Sequence, residues 1–159
     1  MLATAHPGLL LRELTADQAP VYYALVERNR SHLTAHGDYR EMLTASVDSV
    51  AVDLRDLDDD DLAFGVWLHE QLIGRVDLVR KDAKNFVLGY WLDSGHTGHG
   101  YATFACQVLV EQARLLGGTD AWAGVTKGNL PSERLLTRLG FERVADMGTY
   151  TRFHRSLVP

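Results

Sequence analysis

Hydrophobic residues follow mostly helical spacing between Thr15 and Leu57, and the spacing typical of strands from Leu62 to Leu92. Gly8 to Leu14 is apolar and short, and it predicts a first strand. Thr15 then reads as a helix N-cap with Gln18 as its capping-box partner, and apolar residues at helical intervals continue to about Leu33. Beyond a short break, a second amphipathic helix is predicted over roughly Tyr39 to Leu57.

After the acidic run at residues 58–61, the spacing becomes typical of strands. Three short strands joined by tight turns are predicted at Leu62–Leu68, Leu72–Arg80 and Asn85–Leu92, and they form an antiparallel meander. The remaining predicted elements are a helix over Gly98–Leu116, a strand over Thr119–Val125, a helix that Asn129 caps and that ends at Leu139, and strands near Phe141–Ala145 and Thr149–Leu157. The order βααβββαβαββ predicts one α/β domain over residues 1–159, with helices on both faces of a mixed, mostly antiparallel sheet.

The composition restricts the partners and the compartment that we expect. The formal net charge of −5 argues against nucleic acid or an anionic membrane as the main partner. No apolar run approaches the roughly 20 residues of a membrane span, and the N-terminal segment lacks the features of a signal peptide. Cys106 is the single cysteine, so no internal disulfide can form. We expect a cytoplasmic monomer or homodimer.

The stretch from Gly89 to Cys106 carries the clearest chemical signal. An apolar strand stops at Asp93, and Gly98 and Gly100 then lead into a long helical pattern. The first N–H groups of a helix have no intrahelical partner, and the helix dipole adds partial positive charge there. Glycines allow left-handed backbone conformations and a close approach by a ligand. This pattern predicts a site for an anion, such as the pyrophosphate of a nucleotide-containing cofactor.

Two motifs follow one another along the chain. Thr97–Ala102 (Thr-Gly-His-Gly-Tyr-Ala) is similar to the pattern Gln/Arg-x-x-Gly-x-Gly/Ala, and Asn129–Phe141 is similar to an Asn-x-x-Ser/Ala helix that ends in Gly-Phe. Together with the order of elements, they resemble the GNAT superfamily of acyl-CoA-dependent N-acetyltransferases. Gly89–Leu92 and Glu27–Leu33 resemble the branch that acetylates ribosomal-protein N-termini.

The resemblance implies a GNAT-like fold and acetyl-CoA as the co-substrate. In that family, loop N–H groups hold the pyrophosphate, and a V-shaped splay between the strands at Asn85–Leu92 and Thr119–Val125 admits cofactor and acceptor from opposite sides. Asn129 would bind the cofactor arm, and Ser132 would lie near its sulfur. The residues that the resemblance assigns to the cofactor are Trp91, Leu92, Thr97, Gly98, His99, Gly100, Tyr101, Ala102, Asn129 and Ser132. Arg134, one turn along the helix from Asn129, is a further candidate for the cofactor.

Four positions depart from the family pattern. Thr97 stands where the family usually has Gln or Arg, and Phe104 stands where the branch commonly has Glu. Val87 lies where a family member could carry a carboxylate base, and Leu136 replaces the family's frequent tyrosine acid. The usual acid–base pair is therefore not evident in this chain.

Three residues are candidates for the chemistry of acyl transfer. Ser132 is the candidate donor to the departing thiolate; the alternative is a first-turn serine that satisfies backbone groups. Asp77 is the candidate base, or a strand carboxylate paired with Arg75 or Lys84. Tyr150 could present a hydroxyl near the acceptor, or serve in packing.

Other residues have plainer explanations. His96 and His99 flank the loop and could add charge near a phosphate, but solvent-facing side chains are the simpler interpretation. Arg134 could contact a phosphate or be an exposed helix arginine. Cys106 is expected to be a small core residue. No Cys or carboxylate completes a ligand set with the histidines, so no metal is expected.

The leading hypothesis is acetyl transfer from acetyl-CoA to a primary amine by direct attack in a ternary complex. The acceptor would be a protein N-terminus or a small-molecule amine, and the negative net charge favours a cationic one. The alternatives are a CoA-binding sensor or scaffold with little catalysis, and transfer of a different acyl group.

Overall fold

A computed structural model describes residues 1–159. Its strands are β1 (Leu2–Ala3), β2 (Leu9–Glu13), β3 (Leu62–Leu68), β4 (Gln71–Arg80), β5 (Asn85–Leu92), β6 (Asp120–Thr126), β7 (Glu142–Asp146) and β8 (Tyr150–Ser156). Its helices are α1 (Ala19–Arg28), α2 (Arg30–Leu33), α3 (Val47–Arg55), α4 (Tyr101–Leu115) and α5 (Leu130–Arg138). The strands form one eight-stranded sheet in the order β1-β2-β3-β4-β5-β6-β8-β7.

Neighbouring strands are antiparallel except for β5 and β6. These two run parallel and pair only between residues 85–87 and 120–122. Beyond Val87, β5 continues to pair with β4, while β6 continues beyond Trp122 to pair with β8. A V-shaped gap therefore opens between β5 and β6 toward their C-terminal ends. The predicted mostly antiparallel sheet and its splay are confirmed.

The sheet separates two hydrophobic cores, because alternate side chains of each strand point to opposite faces. One core packs α4 and α5 against the sheet and contains Leu88, Leu109 and Leu136. The other packs α1 and α3 against the sheet and contains Tyr22 and Trp91. Helices on both faces are thus confirmed, and β5 is covered on each side beside the gap. In length and apolar character, the helices all fall short of what crossing a bilayer requires.

The first predicted helix is interrupted, which corrects the single helix expected up to Leu33. Asn29 lies between α1 and α2 and is 1% exposed. Its side-chain Nδ2 donates to Leu25 O at 2.8 Å and also to Asp93 Oδ1 at 2.6 Å. A buried asparagine that bonds to a backbone carbonyl and to a distant carboxylate competes with the regular helix ladder.

The second predicted helix is shorter than the expected Tyr39–Leu57. A 3-10 turn covers Arg40–Leu43, and α3 begins only after Ser46, whose Oγ accepts from Ser49 N at 3.1 Å. Arg30 accounts for the interruption before α3, because its guanidinium donates hydrogen bonds to the backbone carbonyls of Met42 and Ala45. The two-residue strand β1 was also outside the prediction, since so short a segment carries no periodicity.

Candidate active site

A buried carboxylate ties the glycine-rich loop to the end of α1. Asp93, 7% exposed, accepts hydrogen bonds from Asn29 Nδ2 at 2.6 Å, Arg28 Nε at 3.1 Å and His96 Nδ1 at 2.7 Å. Burial acts to raise the pKa of Asp93, but these hydrogen bonds outweigh it and hold the pKa below its usual value. Asn29 Oδ1 also accepts from Ser94 N at 2.9 Å. The start of the loop is therefore fixed, and His96 is a structural partner rather than a solvent-facing side chain.

The rest of the loop presents a row of unsatisfied backbone donors. Gly98 and Gly100 have φ angles of +80° and +81°, which are left-handed values that favour glycine. The N–H groups of the seven residues from Thr97 to Thr103 donate to no acceptor in the protein. The 15-residue helix α4 starts at Tyr101 and directs the positive end of its dipole to the same place. The segment is thus arranged to hold an anion.

A cavity of about 870 Å³ lies next to these donors and extends into the gap between β5 and β6. Its lining includes every residue predicted to contact the cofactor except His99, namely Trp91, Leu92, Thr97, Gly98, Gly100, Tyr101, Ala102, Asn129, Ser132 and Arg134. His99 is exposed and stacks on Tyr101, with ring centroids 5.5 Å apart. The fold therefore brings the two sequence motifs together around one space.

The backbone of β5 faces this gap at alternate residues. Asp93 N donates to Ile73 O at 2.7 Å, so the odd-numbered positions of β5 continue the ladder with β4. By alternation, Trp91 directs its backbone groups to β4, whereas Tyr90 and Leu92 direct theirs into the gap. The gap is thus edged by backbone donors and acceptors of an unpaired strand segment.

Ser132 lies in the first turn of α5 and points into the cavity. Asn129 caps this helix, and its Oδ1 accepts from Ser132 N at 3.3 Å. The Oγ of Ser132 is hydrogen-bonded to the phenolic oxygen of Tyr90, which also donates to Ser132 O at 3.3 Å. Burial raises the pKa of Tyr90, so its hydroxyl stays protonated at neutral pH. The two hydroxyls form a short chain of donors at the cavity wall.

Tyr90 was absent from the candidates that the sequence suggested. A tyrosine in an apolar strand resembles a packing residue, and its partner lies 42 positions away. The strand alternation of Leu88, Tyr90 and Leu92 was the available signal, because it places Tyr90 on the same face as the helix that carries Ser132. Leu136, at the position of the expected tyrosine, is fully buried in the core.

Asp77 lies opposite Gly89 in the ladder between β4 and β5, beside the loop strand as predicted. Its carboxylate is paired with Arg75, whose Nη2 and Nε lie 2.8 and 2.9 Å from Oδ1. Asp77 is not part of the cavity lining. Burial raises the pKa of Asp77, although the charge of Arg75 opposes this shift. The ion pair is the alternative that the sequence left open for this residue.

A second cavity of about 670 Å³ adjoins the first and contains Tyr150. It is lined by His36, Gly37, Asp38, Arg40, Gly124, Thr126, Lys127, Gly148, Thr149 and Tyr150. The two cavities share His36, Asp38, Gly124 and Thr126. Tyr150 is therefore separated from Ser132, on the far side of this junction. We call this second space the outer cavity.

Neither Asp38 nor Arg40 was a candidate from the sequence, because both lie in the aperiodic segment between α2 and α3. Asp38 Oδ1 accepts a hydrogen bond from Thr126 Oγ1, which fixes this segment against β6. No group of three or more His, Cys, Asp or Glu side chains is placed to hold a metal ion. Cys106 is fully buried as predicted, and burial raises the pKa of its thiol.

Sequence and structure comparisons agree with this architecture. The profile of the acetyltransferase (GNAT) domain family matches residues 8–142. Over 127 residues the chain is 31% identical to the Bacillus subtilis (strain 168) protein named "Probable N-acetyltransferase YjcK", a match that covers 76% of this chain and 61% of that protein. The chain thus spans about three fifths of the length of this curated relative.

Two solved structures have the same fold. An acetyltransferase from Thermus thermophilus superposes with a TM-score of 0.79 at 22% identity, covering 97% of this chain and 99% of that one. RimL, a ribosomal alpha-N-protein acetyltransferase in complex with coenzyme A, superposes with a TM-score of 0.85 at 16% identity, covering 98% of each chain. The family profile matches well over half of this chain, and the chain therefore belongs to the GNAT acetyltransferase domain family.

Proposed function

We propose that this protein transfers an acetyl group from acetyl-CoA to a primary amine. The observation that carries the proposal is the row of free N–H groups from Thr97 to Thr103 at the wall of a cavity that continues into a strand gap. Membership of the GNAT family and the shared fold with a coenzyme A complex support it. The resemblance to the ribosomal-protein branch makes a peptide N-terminus one candidate acceptor.

The residues present fit the chemical groups of coenzyme A. The free loop N–H groups suit a pyrophosphate, and Arg134 and Arg138 add two cations to the same cavity wall. Arg138 Nη2 donates to Thr103 Oγ1 at 3.2 Å, which keeps its guanidinium near the start of α4. The backbone groups that Tyr90 and Leu92 direct into the gap suit the amides of the pantetheine arm, which would lie there as a further strand would. Of these groups, Tyr90 O also accepts a long hydrogen bond from the Tyr39 hydroxyl at 3.4 Å.

Acetyl-CoA supplies an acetyl group activated as a thioester. The amine nitrogen forms a bond to the carbonyl carbon, the carbon–sulfur bond breaks, and its electron pair leaves on sulfur. The amine releases its protons to water as the amide forms, and one proton returns to the sulfur. Positioning of the two reactants contributes a large share of the rate in such a transfer.

Ser132 is the proposed hydrogen-bond donor to the developing thiolate. Its hydroxyl has one proton, which is free to point to the sulfur when Tyr90 is the donor in the hydrogen bond between the two hydroxyls. We assign that donor role to Tyr90, whose protonated phenol lies against Ser132 Oγ. Tyr90 is therefore proposed as a positioning residue that turns the Ser132 proton toward the cavity.

Asp77 is a weak candidate for the base in this geometry. Arg75 occupies its carboxylate, and it reaches neither cavity. We therefore assign the departing protons to water in the cavities rather than to Asp77. Tyr150 remains proposed as a hydroxyl on the acceptor side, since it lines the outer cavity.

The proposal is tested by incubating the protein with acetyl-CoA and a panel of amines and peptides, while thiol release and the acetylated product are measured. Amine-dependent thiol release with a matching product supports acetyl transfer. Tight binding of coenzyme A without turnover on a broad panel would instead indicate a sensor or scaffold. Propionyl-CoA and longer thioesters in the same assay establish whether acetyl is the preferred acyl group.

A further inference from the structure

The outer cavity opens on the opposite face of the sheet from α4 and α5. Along β6, Ala123 and Val125 are buried in the core beneath α4 and α5, while Gly124 and Thr126 alternate with them and line the outer cavity. The free N–H groups from Thr97 to Thr103 and the outer cavity are therefore reached from opposite sides of the gap. A second reactant that enters through the outer cavity would meet the first at their junction.

Negative and positive side chains lie in different parts of the outer cavity. Asp38 lies at the junction of the two cavities and is held by Thr126. Arg40 and Lys127 line the outer cavity only. The ammonium group of Lys127 is paired with Asp146, whereas the exposed guanidinium of Arg40 has no carboxylate partner. A negative group thus faces the junction, and an uncompensated positive group lies farther out.

The lining of the outer cavity is also strongly polar, since only one of its 10 residues is hydrophobic. Such a surface suits a polar molecule and offers little to an apolar or aromatic amine. His36, which belongs to the junction, adds a second group that can exchange hydrogen bonds with a polar ligand.

We propose that the outer cavity selects a primary amine that also carries an anionic group. Asp38 receives the ammonium of the acceptor at the junction, and Arg40 receives a carboxylate of the same molecule. This inference rests on the proposed acetyl transfer and names the class of acceptor for it. It replaces the cationic acceptor expected from the net charge of −5, because the groups that line the cavity act at contact distance and the total charge does not.

Two kinds of molecule share this chemistry. A free amino acid offers an α-carboxylate, and a peptide N-terminus offers an acidic side chain within its first residues. Each has a counterpart of nearly the same shape, the neutral member of its pair, in which an uncharged amide replaces the carboxylate. These counterparts are the amino acid amide and the peptide in which the acidic residue is replaced by its amide. The paired compounds separate the two sources, and the change in each pair's ratio when Arg40 is replaced isolates the contribution of its charge.

The experiment measures kcat and KM for these four acceptors with the wild-type protein, Arg40→Gln and Arg55→Gln. Arg55 is an exposed arginine on α3 outside both cavities, so Arg55→Gln is the matched control. We expect kcat/KM to favour the acidic member of at least one pair by about three- to fivefold, as suits one exposed ion pair. Arg40→Gln should remove that preference by raising the KM of the acidic member toward that of the neutral member, whereas Arg55→Gln should keep it.

Equal kcat/KM for both members of each pair, or a preference that survives in Arg40→Gln, would overturn the proposal. If no amine releases thiol, acetyl transfer itself has failed, and calorimetric titration of the same acceptors into the CoA-saturated protein decides the outer cavity separately. Charge-dependent binding that Arg40→Gln abolishes supports the anion site. Binding without charge dependence, or no binding, refutes it.

Discussion

The phenolic oxygen of Tyr90 on β5 is hydrogen-bonded to the Oγ of Ser132 on α5, although 42 positions separate the two residues. This contact lies at the cavity wall, three residues beyond Val87, the last residue of β5 that pairs with β6. It places a protonated phenol beside Ser132 in a chain that has Leu136 where the family pattern frequently has a tyrosine. The hydroxyl partner of Ser132 therefore comes from the strand β5.

Replacing Tyr90 with Phe should lower kcat about tenfold and leave the KM for acetyl-CoA nearly unchanged. The expected loss corresponds to one hydrogen bond of about 1.4 kcal/mol that strengthens as charge develops on sulfur. Ser132→Ala should lower kcat at least as much, and the double variant should be no slower than Ser132→Ala. Steady-state kinetics of the three variants measure these effects.

Tyr23→Phe is the control for that series, because Tyr23 is a partly exposed tyrosine on α1 outside both cavities. It should leave kcat unchanged. Thioesters with more acidic thiol leaving groups should reduce the defect of Tyr90→Phe, since their thiolates need less stabilisation. Multiplicative losses in the double variant would show that Tyr90 acts independently of Ser132.

Gly100→Val should weaken the binding of coenzyme A by a factor of ten or more. Gly100 has a φ of +81° at the entry to α4, and a β-branched residue resists this conformation, so the free N–H groups beside it would be displaced. Gly117→Val is the matched control: its φ is +88°, but it lies at the far end of α4. Both variants should lose thermal stability, and only Gly100→Val should lose affinity by calorimetry.

Asp93→Asn should destabilise the protein by about 1–3 kcal/mol at neutral pH, because it removes the charge that three donors share in a buried site. The pKa of Asp93 in the folded protein lies below its ordinary value of 3.8, so its stabilisation is present above that value and disappears as the pH falls through the folded pKa. The difference in unfolding free energy between wild type and Asp93→Asn should therefore shrink as the pH falls through the folded pKa of Asp93. A difference that grows below pH 4 would contradict the assignment.

The elements that frame the cavity were predictable because their signals are local. Strand alternation predicted the bounds of β3, β4 and β5 to within a residue or two. The glycines at 98 and 100 indicated where α4 begins. The breaks at Asn29 and before Ser46 were not predictable, since they depend on contacts with Asp93 and Arg30 that arise only in the folded chain.

The lining of the first cavity was easier to predict from the sequence than that of the outer cavity, for a physical reason. An anion loop is made from consecutive backbone groups, so its residues are adjacent in sequence. The outer cavity is assembled from three separate segments, around Asp38, Thr126 and Tyr150. No sequence spacing connects such segments. The place of Asp38 in the cavity is evident only from its hydrogen bond with Thr126 in the folded chain.

Asp38→Asn should raise the KM for every amine acceptor about tenfold and leave the KM for acetyl-CoA unchanged. The amide keeps an oxygen that can accept from Thr126 Oγ1, so the segment should hold its position while its negative charge is lost. An ammonium ion then loses a charged hydrogen-bond partner at the junction, which is worth about 1.4 kcal/mol or more.

Asp77→Asn is the comparison variant, because the Asp77 carboxylate is paired with Arg75 away from both cavities. It should leave acceptor KM and the pH–rate profile unaltered while lowering the melting temperature. If Asp77→Asn instead changed the pH–rate profile and Asp38→Asn had no effect on acceptor KM, the base would be Asp77 and the acceptor would approach from the side of Arg75.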